Sequence, residues 1–151
     1  MTGWRIGYCG GPREVVTAMT TIQGQSTSNP SSISQKAAVA ALNGDQACVA
    51  SMNRAFRERH DYIVAALNTL PGVSCRPASG AFYAFADVSK AMVKLGLADD
   101  NAFAEFLINT VGVAVVPGSG FGAPGHVRLS YACSRATLEQ AVERMRRALS
   151  V

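Results

Sequence analysis

The chain has 151 residues, 48% of them hydrophobic and 16% charged, a composition that builds a core-bearing globular domain and excludes a disordered one. Its net charge of +4 is scattered except for Arg144, Arg146 and Arg147; these suit the last turn of a helix, and with no interleaved aromatics a nucleic-acid partner is not expected. No apolar run spans a bilayer, no leader pattern opens the chain, and Cys9, Cys48, Cys75 and Cys133 lack metal or redox spacing, so free thiols, no metal and a reducing, cytoplasmic setting are expected.

In chain order, residues 4–9 read as a short buried strand between Gly3 and Gly10-Gly11-Pro12. A helix follows over residues 12–22. Pro12 suits its first turn, and Val15, Val16, Met19 and Ile22 recur at helical spacing. A polar turn at 23–30 offers a cap among Ser26 to Asn29 for an alanine-rich helix over 31–42. Asn43-Gly44-Asp45 breaks that helix. A longer one covers 46–70, with Cys48, Val49, Met52, Phe56, Ile63, Leu67 and Leu70 as one apolar stripe. His60 lies in this helix without a second ligand at metal spacing, and a surface or interface histidine is expected.

Pro71-Gly72 ends the long helix. Strands are expected over 73–76 and 81–86. Phe82, Tyr83 and Phe85 favour the second, with Tyr83 read as a core aromatic rather than a catalytic acid. Residues 89–96 form a short helix or a loop. Asp99 or Asp100 then caps a helix over 101–110 that buries Phe103, Phe106, Leu107 and Val111. An apolar strand covers 113–116. Gly120, Gly122 and Gly125 satisfy Gly-x-Gly-x-x-Gly, but Pro124 interrupts them and a strand follows, so a dinucleotide site is rejected in favour of tight turns. Residues 126–132 form the last strand, with Val127, Leu129 and Tyr131 on one face and Arg128, Ser130 and Ala132 on the other. A lone arginine inside a sheet needs a partner. That partner is either a structural carboxylate, Glu105 or Asp87, or the carboxylate of a ligand. Ser134 caps a final helix that buries Leu138, Val142, Met145 and Leu149.

Four stretches share one resemblance: Thr2-Gly3-Trp4-Arg5-Ile6-Gly7-Tyr8, the run from Ser26 to Ala38, Gly80-Ala81-Phe82-Tyr83-Ala84-Phe85-Ala86-Asp87, and Pro117-Gly118…Phe121-Gly122 with Arg128-Leu129-Ser130-Tyr131-Ala132. Together they resemble the fold-type I, pyridoxal-phosphate (PLP) aminotransferases of the aspartate aminotransferase family. The resemblance implies an α/β chain with residues 1–44 as a strand-and-helix remnant of the large PLP-binding domain. Residues 45–151 would be the small C-terminal α+β domain, with a mainly antiparallel sheet covered by helices. It implies that Arg5 contacts the cofactor phosphate and that Arg128 forks onto the substrate's α-carboxylate, a task suited to a planar guanidinium.

In the family pattern the Schiff-base lysine lies eight residues before the arginine matched by Arg5, which would place it before Met1. Lys36, Lys90 and Lys94 lie outside that motif. The expectation is a fragment of an enzyme that moves an amino group from an amino acid to a 2-oxo acid, without its catalytic lysine and inactive alone. A homodimer or self-association is expected, and the side-chain pocket lies largely upstream, so the amino acid stays open. A different class of reading is a free-standing, non-catalytic α/β domain that binds a small carboxylate or a partner protein.

Overall fold

In the computed structural model, which describes residues 1–150, the chain divides into two compact units, Met1–Ala50 and Ser51–Val151. The first unit holds a single 3-10 turn at Thr2–Trp4 and helices α1 (Arg13–Ser26) and α2 (Ser32–Asn43). Helix α3 (Ala47–Leu67) begins in this unit and runs into the second.

Residues 4–9 are not the buried strand that their composition suggests. Trp4 and Tyr8 are exposed, and Arg5 sits in the left-handed region at φ 49°, closing the turn. A strand is stabilised by its neighbours' hydrogen bonds, and among the described residues none pairs here. The Ser34 hydroxyl instead donates to the Trp4 carbonyl oxygen at 2.9 Å, tying α2 to the turn. Helix α2 takes Ser31 as its N-cap, without a side-chain bond, rather than any of Ser26 to Asn29. The stripe of α1 is formed but uncovered: Val15, Met19 and Ile22 are all exposed.

The second unit carries the hydrophobic core. Its sheet has four antiparallel strands in the order β1-β2-β4-β3, with β1 Ser74–Cys75, β2 Tyr83–Asp87, β3 Val116–Pro117 and β4 His126–Ser130. Helices α4 (Ser89–Leu95), α5 (Asp100–Val111) and α6 (Arg135–Leu149) complete it. The antiparallel sheet expected from the sequence is thus present. Residues 113–115, however, precede β3 rather than forming it.

Alternation along the two central strands sorts the sheet into two faces. Ala84, Ala86, Val127 and Leu129 point into the core with Phe103 and Leu107 of α5 and Leu138, Val142, Met145 and Leu149 of α6. Asp99 caps α5 by accepting from the Ala102 N–H at 2.8 Å, and Ser134 caps α6 by accepting from the Thr137 N–H at 3.1 Å. Each such cap contributes about 1 kcal/mol. Gly72 has φ +73°, and a Cβ there would meet the Ala91 backbone nitrogen at 2.6 Å. Only glycine allows this close approach of the α3–β1 turn to α4.

The apolar stripe of α3 divides along its length. Ile63 and Leu67 are buried, as is Leu70 just beyond the helix, whereas Val49 and Met52 are about half exposed. Among the described residues no helix is long and apolar enough to cross a membrane, and no cluster of three or more potential metal ligands is present.

Candidate functional site

The face of the sheet opposite the core is polar and aromatic. Register places Phe85 opposite Arg128, Asp87 opposite His126 and Tyr83 opposite Ser130. Val116 of β3 lies on the other side of Arg128. The period of two that sends Val127 and Leu129 inward sends Arg128 outward, so this arginine is aimed by the same alternation that builds the core.

Arg128 is half-buried. Its guanidinium carbon lies 4.3 Å from the centre of the Tyr83 ring and 4.4 Å from that of Phe121, a pair of cation–π contacts. Its Nε is buried and has no hydrogen-bond partner. Among the described residues no ion pair involves Arg128. Neither Glu105 nor Asp87 answers its charge. The Asp87 carboxylate instead accepts from the Ser89 hydroxyl at 2.6 Å and the Ser89 N–H at 2.9 Å. These two bonds hold its pKa below the ordinary value. A half-buried cation stacked on aromatics without a counter-charge is prepared for an anion brought from outside.

Tyr83 and Phe121 complete this grip, and neither role is apparent from residue type alone. Tyr83 is not a core aromatic; it stands half-buried on the open face. Phe121 arrives on a second 3-10 turn, Gly118–Phe121. That turn is anchored from α5, where buried Asp100 accepts the Ser119 N–H at 2.6 Å. A Cβ on Gly118 would lie 2.5 Å from the Ala123 carbonyl oxygen, so the turn packs too tightly for any other residue. The aromatic within Pro117-Gly118…Phe121-Gly122 was the available signal for Phe121. For Asp100 there was none beyond its place at a helix start.

The rejected glycine motif behaves as its proline implied. Gly122 and Gly125 take φ of 75° and 77°, and a strand follows.

His60 is buried, not a surface histidine. Its Nε2 accepts the Ala78 N–H at 3.1 Å, and its Nδ1 lies 2.9 Å from Asp61. A cavity of about 250 Å³ lined by Ile63, Cys133, Thr137, Gln140 and Arg144 does not include Arg128.

Arg5 stands in the first unit. Its side chain is exposed and reaches back only to its own turn, with Nη1 donating to the Thr2 carbonyl oxygen at 3.3 Å. Its remaining donors suit a phosphate. One exposed guanidinium is nevertheless not a cofactor cradle: PLP also needs a carboxylate for its ring nitrogen and an amine for its aldehyde. The described residues of Met1–Ala50 do not assemble such a set. They fit one contact to the group and not the group as a whole.

Residues 1–145 match the model of the family described as aminotransferase class I and II. The chain is 51% identical over 156 aligned positions to an aspartate/prephenate aminotransferase of Nitrosomonas europaea, covering 99% of this chain and 39% of that protein. It is 48% identical to an aspartate aminotransferase of Geobacillus stearothermophilus, covering 97% of this chain and 37% of that protein. Among solved structures, the aspartate aminotransferase of Rhizobium meliloti superposes with a TM-score of 0.83 at 44% identity, over 99% of this chain and 39% of that one. The Thermotoga maritima enzyme gives 0.85 at 38% identity, over 100% and 37%. The chain therefore spans about two fifths of the length of the relatives it matches.

Proposed function

The chain belongs to the class I and II aminotransferases, a PLP-dependent family, and corresponds to a C-terminal portion of their fold; from that premise we propose that it supplies the substrate-carboxylate grip of an enzyme that moves an amino group from an amino acid to a 2-oxo acid. The observation that carries this reading is the uncommitted guanidinium of Arg128, its Nε buried and unpartnered and its carbon in cation–π contact with Tyr83 and Phe121. An amino acid and a 2-oxo acid share one group, the α-carboxylate. One fixed cation can therefore serve both halves of the exchange.

The role of Arg128 is binding and orientation. Two parallel N–H donors on a carboxylate fix both its position and its rotation. Fixing the carboxylate sets the direction of the Cα–H bond, which must meet the reacting centre correctly for the proton to be moved. The stacked rings keep water from one side of the cation and strengthen its pull on the ligand. Arg5 is the proposed contact to the cofactor phosphate, a charge-assisted donor. When bound in the complete enzyme, PLP supplies the electron sink. The complete enzyme is proposed to be a homodimer in the cytoplasm.

The test uses the complete enzyme. Arg128→Ala is expected to lower kcat/KM for both the amino acid and the oxo acid roughly 10²- to 10³-fold, the scale of losing one partner of a buried charge pair. Arg128→Lys should recover only part of this, because an ammonium cannot fork. Unchanged kcat/KM in Arg128→Ala would refute the assignment. Added to the 151-residue chain alone, PLP should give no amino-group exchange. The same guanidinium also favours a second reading, a non-catalytic domain that binds a small carboxylate. That reading would be supported by carboxylate binding to the 151-residue chain alone.

A further inference from the structure

We propose that His60 is a positioning residue for the carboxylate grip: by accepting the Ala78 N–H, it holds the connection 76–82 in the conformation that lays Tyr83 against Arg128. The proposal rests on the reading of Arg128 as the carboxylate-binding residue.

The connection is short, strained and held at few points. Ala81 stands at φ +65°, a region that residues with a Cβ seldom occupy. Such a conformation persists only where surrounding contacts over-determine it. Three contacts do so here. His60 Nε2 accepts the Ala78 N–H at 3.1 Å. The Tyr131 hydroxyl donates to the Ala81 carbonyl oxygen at 2.9 Å, and the Tyr131 N–H donates to the Phe82 carbonyl oxygen at 2.9 Å. The first anchor comes from α3 and the other two from Tyr131, just beyond β4. Phe56 of α3 packs near Phe82 and Tyr131, with ring centres 6.2 and 6.3 Å away, and the His60 ring meets Tyr131 edge-on at 5.9 Å.

The connection leads directly into the site. Phe82 and Tyr83 have ring centres 4.4 Å apart, and the next contact outward is Tyr83 on the Arg128 guanidinium. A chain of touching groups thus runs from the interior of α3 to the cation. The chemistry of the histidine is specific as well. A backbone N–H can only donate, so Nε2 must be the accepting nitrogen. In the neutral ring the proton then resides on Nδ1, facing Asp61. An apolar residue of similar size would fill the space and leave the Ala78 N–H without this acceptor.

The experiment is steady-state kinetics on the complete holoenzyme carrying His60→Ala, His60→Gln or Arg128→Ala. Arg128 both binds the carboxylate and orients the Cα–H bond; a displaced Tyr83 loosens the binding while the guanidinium itself remains to orient, so KM moves more than kcat. His60→Ala is expected to raise KM for both the amino acid and the oxo acid roughly five- to tenfold, with kcat within about twofold. His60→Gln, whose side-chain carbonyl can accept the same N–H, should return KM to within about twofold of the parent. An unchanged KM in His60→Ala overturns the proposal, and so does a parallel fall of kcat that His60→Gln does not relieve. If Arg128→Ala raises KM while His60→Ala does not, only the assignment of His60 fails. If Arg128→Ala leaves kcat/KM unchanged, the carboxylate reading itself fails. Should His60→Ala not fold, the unmodified enzyme decides. Saturation with the oxo-acid substrate used in the kinetics must slow exchange of the Ala78 amide, because coupling between two sites is reciprocal. An unaltered exchange rate counts against it.

Discussion

Helices α1 and α5 are written in the same apolar spacing and meet different fates. In α1, Val15, Met19 and Ile22 are 53%, 50% and 71% exposed; in α5, Phe103 and Leu107 are 0% exposed. The contrast extends to their units. Ser34 is the single buried residue among the first 50, whereas every residue of the hydrophobic core lies beyond Ser51. Periodicity makes a stripe on a helix. Burial of that stripe depends on residues far away in sequence. Within Ser51–Val151 those residues are present as a sheet and three helices, and within Met1–Ala50 they are not.

The sharpest way to break this comparison is a pair of truncations in the 151-residue chain. Phe103→Ala should destabilise the Ser51–Val151 unit by about 3–5 kcal/mol, as large core deletions do. Ile22→Ala should change the same unfolding transition by no more than about 0.5 kcal/mol, as exposed substitutions do. Equal effects in denaturant melts would show that the two units do not differ as described.

A chemical version of the comparison uses the thiols. Cys9 and Cys48 are exposed, whereas Cys75 is buried and its pKa is raised by desolvation. Iodoacetamide should label Cys9 and Cys48 at least roughly tenfold faster than Cys75 at neutral pH, since the thiolate is the nucleophile. Mass spectrometry of the labelled peptides gives the ratio.

Helix caps sharpen it further. Asp99→Ala removes a cap that accepts from Ala102 and should cost about 1 kcal/mol. Ser31→Ala alters a position with no side-chain cap bond and should leave the helical signal of the chain nearly unchanged in thermal melts.

The smallest effect concerns acid. Because the Asp87 pKa is lowered by its bonds to Ser89, its contribution is present above the ordinary carboxylate pKa of about 3.9. That contribution is lost as the pH falls through the lower folded value. Asp87→Asn should therefore flatten the acid limb of the stability profile slightly. The group is partly solvated, and the change stays small. An identical acid limb in the variant would remove Asp87 from the account.

Arg128 shows where reading the chain succeeds and where it stops. Strand alternation put it on the face opposite Val127 and Leu129, and the structure agrees, because a period of two is a local property of extended backbone. Whether it met an internal carboxylate was a question of distance in space. Glu105 and Asp87 were equally available in the sequence, and neither pairs with it. The surface position offered for His60 failed for the same reason. Nothing within its own helix signals the Ala78 N–H that buries it, eighteen residues on.

By itself the sequence determined much of the local order of this protein: five helices near their expected positions, the two central strands, the cap at Ser134, and the motifs shared with the aminotransferases. Those features rest on interactions among near neighbours along the chain or on short recurring patterns. Only the tertiary structure decided that residues 4–9 form no strand, that α1 shows its apolar face, and that Tyr83 and Phe121 close on Arg128. Each of these outcomes depends on which distant surface is there to meet the residue, and a linear pattern carries no record of that.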